Sequence, residues 1–260
     1  MKYYIIDAFA DGVFKGNPAG VCLPDRELDA ETMQKIAFEN NLPETAFLLK
    51  KDEGYALRWF TPEQEIDLCG HATLASAYVL MAYLKPSMTS VSFYTMSGVL
   101  NVEKTDGMLK MDFPERKPLP CRVPDGLEEA LGASVLETHL SRDLLVLLES
   151  EEAVRALTPD FTLLSRIKEA FGFIVTAKGS SCDFVSRFFA PSAGIPEDPV
   201  TGSSHCTLIP FWSGQLGKTK MTAQQLSKRG GTLYCEDLGS RVSISGRAVC
   251  YLKGEIYVNL

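Results

Sequence analysis

Apolar residues along this chain change their period several times, and each change marks an element. Residues 2–9 form an apolar run interrupted by Asp7, which predicts an opening strand. Gly16-Asn17-Pro18 reads as a turn and 19–23 as a second strand. Asp29 is placed to cap a helix over 30–40, with Met33, Ile36 and Ala37 on one face. Strands are predicted at 45–50 and 55–60, followed by a helix after Gly70. In that helix Ala72, Leu74, Ala75, Tyr78, Val79 and Ala82 leave almost no polar face, the pattern of a helix wrapped inside a curved sheet. Strands at 90–95, 99–103 and 108–113 follow. Pro114, Pro118, Pro120 and Pro124 then make a stiff, strand-poor connection, the best candidate for a linker.

The second half runs similarly. Strands are expected near Thr138 and at 143–148, then a helical region over 151–169 broken by Pro159. Strands at 171–176 and 183–189 lead to a third major helix over 202–216, closed by Gly217. Three or four short strands, at 231–235, 241–245, 248–252 and 255–258, finish the chain. One phrase occurs twice. Arg58-Trp59-Phe60-Thr61-Pro62 precedes Cys69-Gly70-His71-Ala72-Thr73-Leu74, and Arg187-Phe188-Phe189-Ala190-Pro191 precedes Thr201-Gly202-Ser203-Ser204-His205-Cys206-Thr207-Leu208. Phe60 and Phe189 stand 129 positions apart in a chain of 260. A repeat that long means two related halves, because solenoid periods are shorter. The fold class is therefore α+β: two similar halves, each a mostly antiparallel sheet around an apolar helix. Their expected extents are 1–117 and 118–260, with the final strands free to pack back on the first half.

Composition narrows the function classes. With 45% hydrophobic and 23% charged residues, each half can bury a core of its own. A net charge of −7 without a Lys/Arg run argues against nucleic acid or an anionic membrane as partner. The longest apolar stretch, 72–84, is too short to span a bilayer, and the N-terminus does not read as a signal peptide. Seven scattered cysteines without a CxxC fit reduced thiols in a cytoplasmic protein. No metal and no cofactor is expected, since His71, His139 and His205 lack ligand-like spacing to one another.

Candidate chemistry gathers at the two Gly-led helix starts. The first turn of a helix presents unpaired N–H groups and the positive end of the dipole. Gly70 and Gly202 allow close approach to that backbone, so a pair of such starts suits a small carboxylate. As simple turns into core helices the glycines would be structural; their pairing by repeat favours the binding role. His71 and Ser203 follow the glycines, and the dipole should keep His71 neutral. Asp198, just ahead of the second helix, is as readily a capping group as a substrate contact. Glu44 lies between a helix and an apolar strand, where partial desolvation would raise its pKa and suit proton shuttling; otherwise it is a plain loop acid.

Several longer motifs, in order and covering essentially the whole length, resemble the PhzF family of phenazine biosynthesis-like isomerases. They are Asp7-Ala8-Phe9 with Phe14-Lys15-Gly16-Asn17-Pro18-Ala19-Gly20-Val21; Asn41-Leu42-Pro43-Glu44-Thr45-Ala46-Phe47; Leu57-Arg58-Trp59-Phe60-Thr61-Pro62; Asp67-Leu68-Cys69-Gly70-His71-Ala72-Thr73-Leu74-Ala75; and Glu197-Asp198-Pro199-Val200-Thr201-Gly202-Ser203-Ser204-His205. Arg229-Gly230-Gly231 resembles a further motif. The resemblance implies the diaminopimelate epimerase-like fold, with an active-site cleft between the halves, and a homodimer. It implies that Glu44 is the single acid/base, as in family members that move a proton around a dihydro-hydroxyanthranilate ring. It also implies that His71 and Asp198 stand near the substrate, and that Gly202 and Ser203 bind it.

The expected reaction is cofactor-independent isomerisation of a small carboxylate-bearing metabolite, cyclic amino or hydroxy acid-like. In the wider superfamily racemases place a Cys before each helix-leading Gly. Here Cys69 precedes Gly70 but Thr201 precedes Gly202, and Thr is far too weak a base for two-sided inversion. A Cys/Thr dehydratase of a hydroxylated cyclic amino acid stays open, with Cys69 activated by a lowered pKa at the helix start. A non-catalytic ligand-binding protein is the third reading.

Overall fold

A computed structural model describes residues 1–258, which divide into two compact units: Met1–Asp112 together with the residues from Ser245 onward, and Phe113–Ile244. In the first unit the strands are β1 (Lys2–Ala8), β2 (Asn17–Leu23), β3 (Glu44–Lys50), β4 (Tyr55–Phe60), β5 (Glu65–Ile66), β6 (Ser90–Thr95), β7 (Gly98–Thr105) and β8 (Met108–Pro114). The helices are α1 (Ala30–Asn40) and α2 (Gly70–Val79), which runs on into a π-turn at Leu80–Leu84. β1 pairs antiparallel with β2 and, on its other edge, with the closing strand Ala248–Glu255. The sequence pattern divides that closing strand in two; the structure runs it unbroken to Glu255.

The pairing from β2 to β3 is parallel, as is that from β4 to β6, while β3–β4, β6–β7 and β7–β8 are antiparallel. Parallel neighbours need a crossover, and α1 and α2 are those crossovers. Asp29 caps α1 as its position predicts: Oδ1 accepts from the Thr32 N–H at 2.8 Å, and Met33, Ile36 and Ala37 are buried. Asn41 ends the helix in the left-handed conformation. α2 packs on β1, β2 and β3. It is buried on all sides from His71 to Ala77, which its small side chains permit.

The second unit repeats this order with β9 (Leu119–Cys121), β10 (Glu137–Leu140), β11 (Leu144–Leu147), β12 (Phe173–Lys178), β13 (Phe184–Ala190), β14 (Ile195–Asp198), β15 (Lys220–Gln225), β16 (Gly231–Asp237) and β17 (Arg241–Gly246). Its helices are α3 (Leu127–Leu131), α4 (Glu151–Ala156), α5 (Phe161–Leu164) and α6 (Gly202–Leu216), the last ended by Gly217 with φ 65°. β11–β12 and β13–β15 are parallel, and β10–β11, β12–β13 and β15–β16 antiparallel. The helical pair α4–α5 crosses over between the first parallel couple and α6 between the second. Each unit thus reads antiparallel, parallel, antiparallel, hairpin, parallel, antiparallel. The central strands β12 and β13 are buried nearly end to end, whereas β6, β8 and β15 alternate, as strands with one covered face should. The proline-rich stretch is less irregular than its composition implies, since Leu119–Cys121 pairs with β10.

Candidate active site

The loop between β1 and β2 is closed locally. Asp7, buried at the end of β1, accepts the Phe14 N–H through Oδ2 at 2.8 Å. Gly16 has φ +64°, and a Cβ there would meet the Ala8 carbonyl oxygen at 2.1 Å, so only glycine fits. This loop delivers Asn17, fully buried, to the start of α2, where its Nδ2 lies 3.2 Å from His71 Nδ1. On the other side of that imidazole, Nε2 lies 2.9 Å from Glu44 Oε2. Cys69 Sγ stands 3.5 Å from His71 Nδ1. Glu44, Cys69 and His71 are 8%, 6% and 4% exposed. Three reactive groups, one from the first residue of β3 and two from the start of α2, therefore share one buried spot.

Two charge states differ from what the sequence suggests. Burial disfavours an imidazolium at His71, but the Glu44 carboxylate and the hydrogen-bond-accepting sulfur of Cys69 beside it outweigh burial and hold its pKa well above the usual value. The helix dipole alone, which favours a neutral ring, is the smaller influence. A charged ring donates from both nitrogens and so calls for the Asn17 amide oxygen at Nδ1, which a half-turn of that amide supplies. Cys69 also departs from expectation: burial and the Glu44 carboxylate push its thiol pKa up, despite His71 and the Ala72 N–H. A thiol held in its neutral form is a poor base.

At the start of α6 the groups bind one another. Thr201 donates its hydroxyl to Asp198 Oδ2, and its N–H goes to Gln225 Oε1 at 2.8 Å. Gln225, almost fully buried, donates Nε2 to the Asp198 carbonyl at 2.8 Å. Thr201 Oγ1 is therefore tied to a carboxylate, while the equivalent Cys69 is not. Asp198 is half-buried at the end of β14, Gly202 is buried, and Ser203 is half-buried. One turn on, His205 donates Nδ1–H to the Thr201 carbonyl at 2.8 Å, as Thr73 donates its hydroxyl to the Cys69 carbonyl in the first unit. Burial lowers the His205 pKa to about 4.

The two histidines thus titrate in opposite directions. His71 contributes stability that is complete below about pH 6.5 and is lost as pH rises through its folded-state value. His205 imposes a cost that is absent above about pH 6.5 and grows as pH falls towards 4, reaching about 3 kcal/mol. Imidazole nitrogen spectra should find His71 still protonated above pH 6.5 and His205 neutral down to the onset of acid unfolding. A His71 midpoint below 6.5 would contradict the charge balance described here.

The repeated phrase has a structural reason. Arg58 grips Glu65 through Nε and Nη2 at 2.6 and 2.7 Å, and Arg187 grips Glu197 in the same way at 2.7 and 2.9 Å. Each glutamate stands five residues before its helix-leading glycine, so each clamp fixes a hairpin that launches a helix. Register also locates the counterpart of Glu44. Thr45 faces Phe60 and Phe173 faces Phe189, so Gly172 takes in the second unit the place of Glu44 in the first. A Cβ at Gly172 would approach the Phe188 ring to 2.5 Å, so a side chain there would require that ring to move.

Comparison with known proteins agrees with these features. The family model described as PhzC-PhzF, phenazine biosynthesis-like protein, matches residues 6–254. The chain belongs to that family. It is 49% identical to an uncharacterized isomerase of Pseudomonas aeruginosa over 258 residues, covering 99% of both chains. A crystal structure of a PhzF family protein from Enterococcus faecalis superposes with a TM-score of 0.97 at 49% identity, covering 99% of each chain. A hydroxyproline epimerase from Agrobacterium vitis, at 11% identity and a TM-score of 0.63 over 98% of this chain and 91% of that one, shares the fold. The PhzC-PhzF family is enzymatic, and this member is of the isomerase class.

Within this PhzC-PhzF chain, Glu44, Cys69, Gly70 and His71 come together, and Asp198, Thr201, Gly202 and Ser203 gather at the other helix start. Asn17 and Gln225 were not among the residues the sequence singles out. Asn17 sits inside a turn motif that already explains itself. Gln225 ends a strand, β15, whose sequence lacks an apolar run because a glutamine takes one of its inward places. No helix of the described residues is long and apolar enough to cross a membrane.

Proposed function

We propose that this chain catalyses cofactor-independent proton transfer within a small carboxylate-bearing metabolite, cyclic amino or hydroxy acid-like, with Glu44 as the single acid/base. The observation that carries this reading is the buried Glu44 carboxylate at 2.9 Å from His71, set against Gly172 in the corresponding place of the second unit. One carboxylate can take a proton from one carbon and return it to another on the same face. His71 orients Glu44, facing its carboxylate through Nε2 at 2.9 Å. Gly70, with Gly202 and Ser203 at the other helix start, is assigned to the polar groups of the substrate through backbone N–H groups and a hydroxyl. Asp198, held by Thr201, is assigned to a substrate N–H or O–H.

The test is incubation of cyclic amino and hydroxy acids with the enzyme in deuterated water. Deuterium should enter at a defined carbon with wild type and not with Glu44→Gln. Ligands that bind wild type without exchanging any proton would support a binding protein and sink the enzymatic reading.

The elimination reading is weakened on both sides, because Cys69 is held as a thiol and the Thr201 hydroxyl is committed to Asp198. Cys69→Ala should keep the exchange rate within about tenfold of wild type, since it removes neither the base nor its partner. Loss on the scale seen for Glu44→Gln would instead make the thiol the reacting group.

A further inference from the structure

We propose that Glu44, Cys69 and His71 form a site for a thiophilic divalent cation, zinc(II) above all, and that its occupancy stops proton transfer. One ligand atom from each residue falls within a sphere where all lie within 4.8 Å of one another. His71 Nε2 is 2.9 Å from Glu44 Oε2 and 3.9 Å from Cys69 Sγ. Tetrahedral zinc, with bonds of roughly 2.0 Å to nitrogen or oxygen and 2.3 Å to sulfur, separates its ligands by roughly 3.3–3.6 Å. Glu44 therefore needs to draw back by a few tenths of an ångström, whereas Cys69 Sγ, which lies nearer Nδ1 (3.5 Å) than Nε2, must turn about its Cα–Cβ bond to reach a cation held on Nε2. Thiolate, imidazole and carboxylate are the donor types zinc selects over harder cations.

The setting favours a cation as well as the donors do. Two acids, a thiol and a carboxylate, flank a single ring, and burial has already stripped their water. Binding breaks the Cys69 S–H bond and the Nε2–H bond of the charged His71 ring, forms S–metal and N–metal bonds and releases both protons to solvent, with no change of oxidation state. His71 binds through Nε2, which leaves Nδ1–H for the amide oxygen of Asn17, the outer-shell contact that metal-bound imidazoles use. Three protein donors leave a fourth position open, as in catalytic rather than structural zinc sites. Spacing along the chain hides this group, because Glu44 lies far from the Cys69-Gly70-His71 triplet in sequence. The binding half of the proposal stands on the donors alone; the inhibitory half rests on Glu44 being the acid/base, whose proton-accepting oxygen the cation would occupy.

The experiment uses the whole chain, stripped of metal by a chelator and titrated with Co²⁺ as a coloured probe. A thiolate-to-cobalt charge-transfer band should saturate at one equivalent and vanish when Zn²⁺ is added. Cys69→Ala should abolish the band, and His71→Asn and Glu44→Gln should weaken Co²⁺ affinity at least tenfold. Cys69→Ser serves if the alanine variant does not fold, with the same loss expected. No band in folded wild type, or an equal band without the thiol, overturns the site. Deuterium exchange that continues at full rate in the zinc-loaded protein overturns the inhibitory half. A band in wild type together with no exchange in metal-free protein supports the cation site and strikes the acid/base reading instead.

Discussion

Glu44→Gln should lower deuterium incorporation by a factor on the order of 10³ while leaving the fold unchanged. General acid–base catalysis contributes roughly 10²–10⁴, and a sole acid/base should sit well up that range. A factor of 10³ corresponds to about 4 kcal/mol of transition-state stabilisation. Glutamine keeps the shape of the side chain at its 8% exposure and can still contact His71, so the change isolates the ability to exchange a proton. Glu44→Asp should fall between the two, because withdrawing a reacting group by about 1 Å costs on the order of 10². No second carboxylate stands at the corresponding place of the repeat, which is Gly172. A Glu44→Gln enzyme within tenfold of wild type, with native circular dichroism, would remove Glu44 from the chemistry and leave His71 as the next group to test.

Much of the architecture is legible in the sequence because it depends on period and punctuation. Asp29 and Gly217 act at helix ends where local chemistry decides, and α1 and α6 have the bounds their patterns predict. The repeat correctly signals duplicated topology, and the swap of Cys69 for Thr201 correctly marks where the copies differ. What is not legible depends on depth and register. Nothing local tells that Cys69 is buried beside Glu44, so the helix dipole suggests a lowered thiol pKa where burial produces a raised one. The same blindness gives His71 the wrong charge preference. β14 and β15 escape notice because Glu197 and Gln225 occupy strand positions with polar groups whose partners, Arg187 and Thr201, lie 10 and 24 residues away. α3 is missed because five residues between two left-handed glycines carry too little periodicity to register.

The two Arg–Glu clamps, identical in sequence pattern, should differ sharply in worth. Arg187→Ala is expected to cost about 3–5 kcal/mol of stability, and Arg58→Ala about 1 kcal/mol. Both guanidiniums hold a glutamate in bidentate fashion and lie over a phenylalanine ring, at 5.3 Å for Phe60 and 5.0 Å for Phe189. Their surroundings differ. The Arg58 side chain is 35% exposed, so water can replace it at Glu65, whereas that of Arg187 is 11% exposed. Arg187 also donates Nη1 to the Leu157 carbonyl at 2.7 Å, closing the C-terminal end of α4 with a positive charge. Truncating it therefore strands a carboxylate and a helix-terminal carbonyl together, and the orphaned charge is the larger loss. The double change Arg187→Met with Glu197→Leu should recover much of that cost, because no unpaired ion remains. Denaturant titrations of the three variants decide the matter: equal losses for Arg58→Ala and Arg187→Ala would mean that the clamps contribute through exposed geometry alone. Glu197 immediately precedes Asp198, so the same Arg187→Ala protein should also lose ligand affinity if Asp198 contacts substrate, an effect that Arg58→Ala gives no reason to expect.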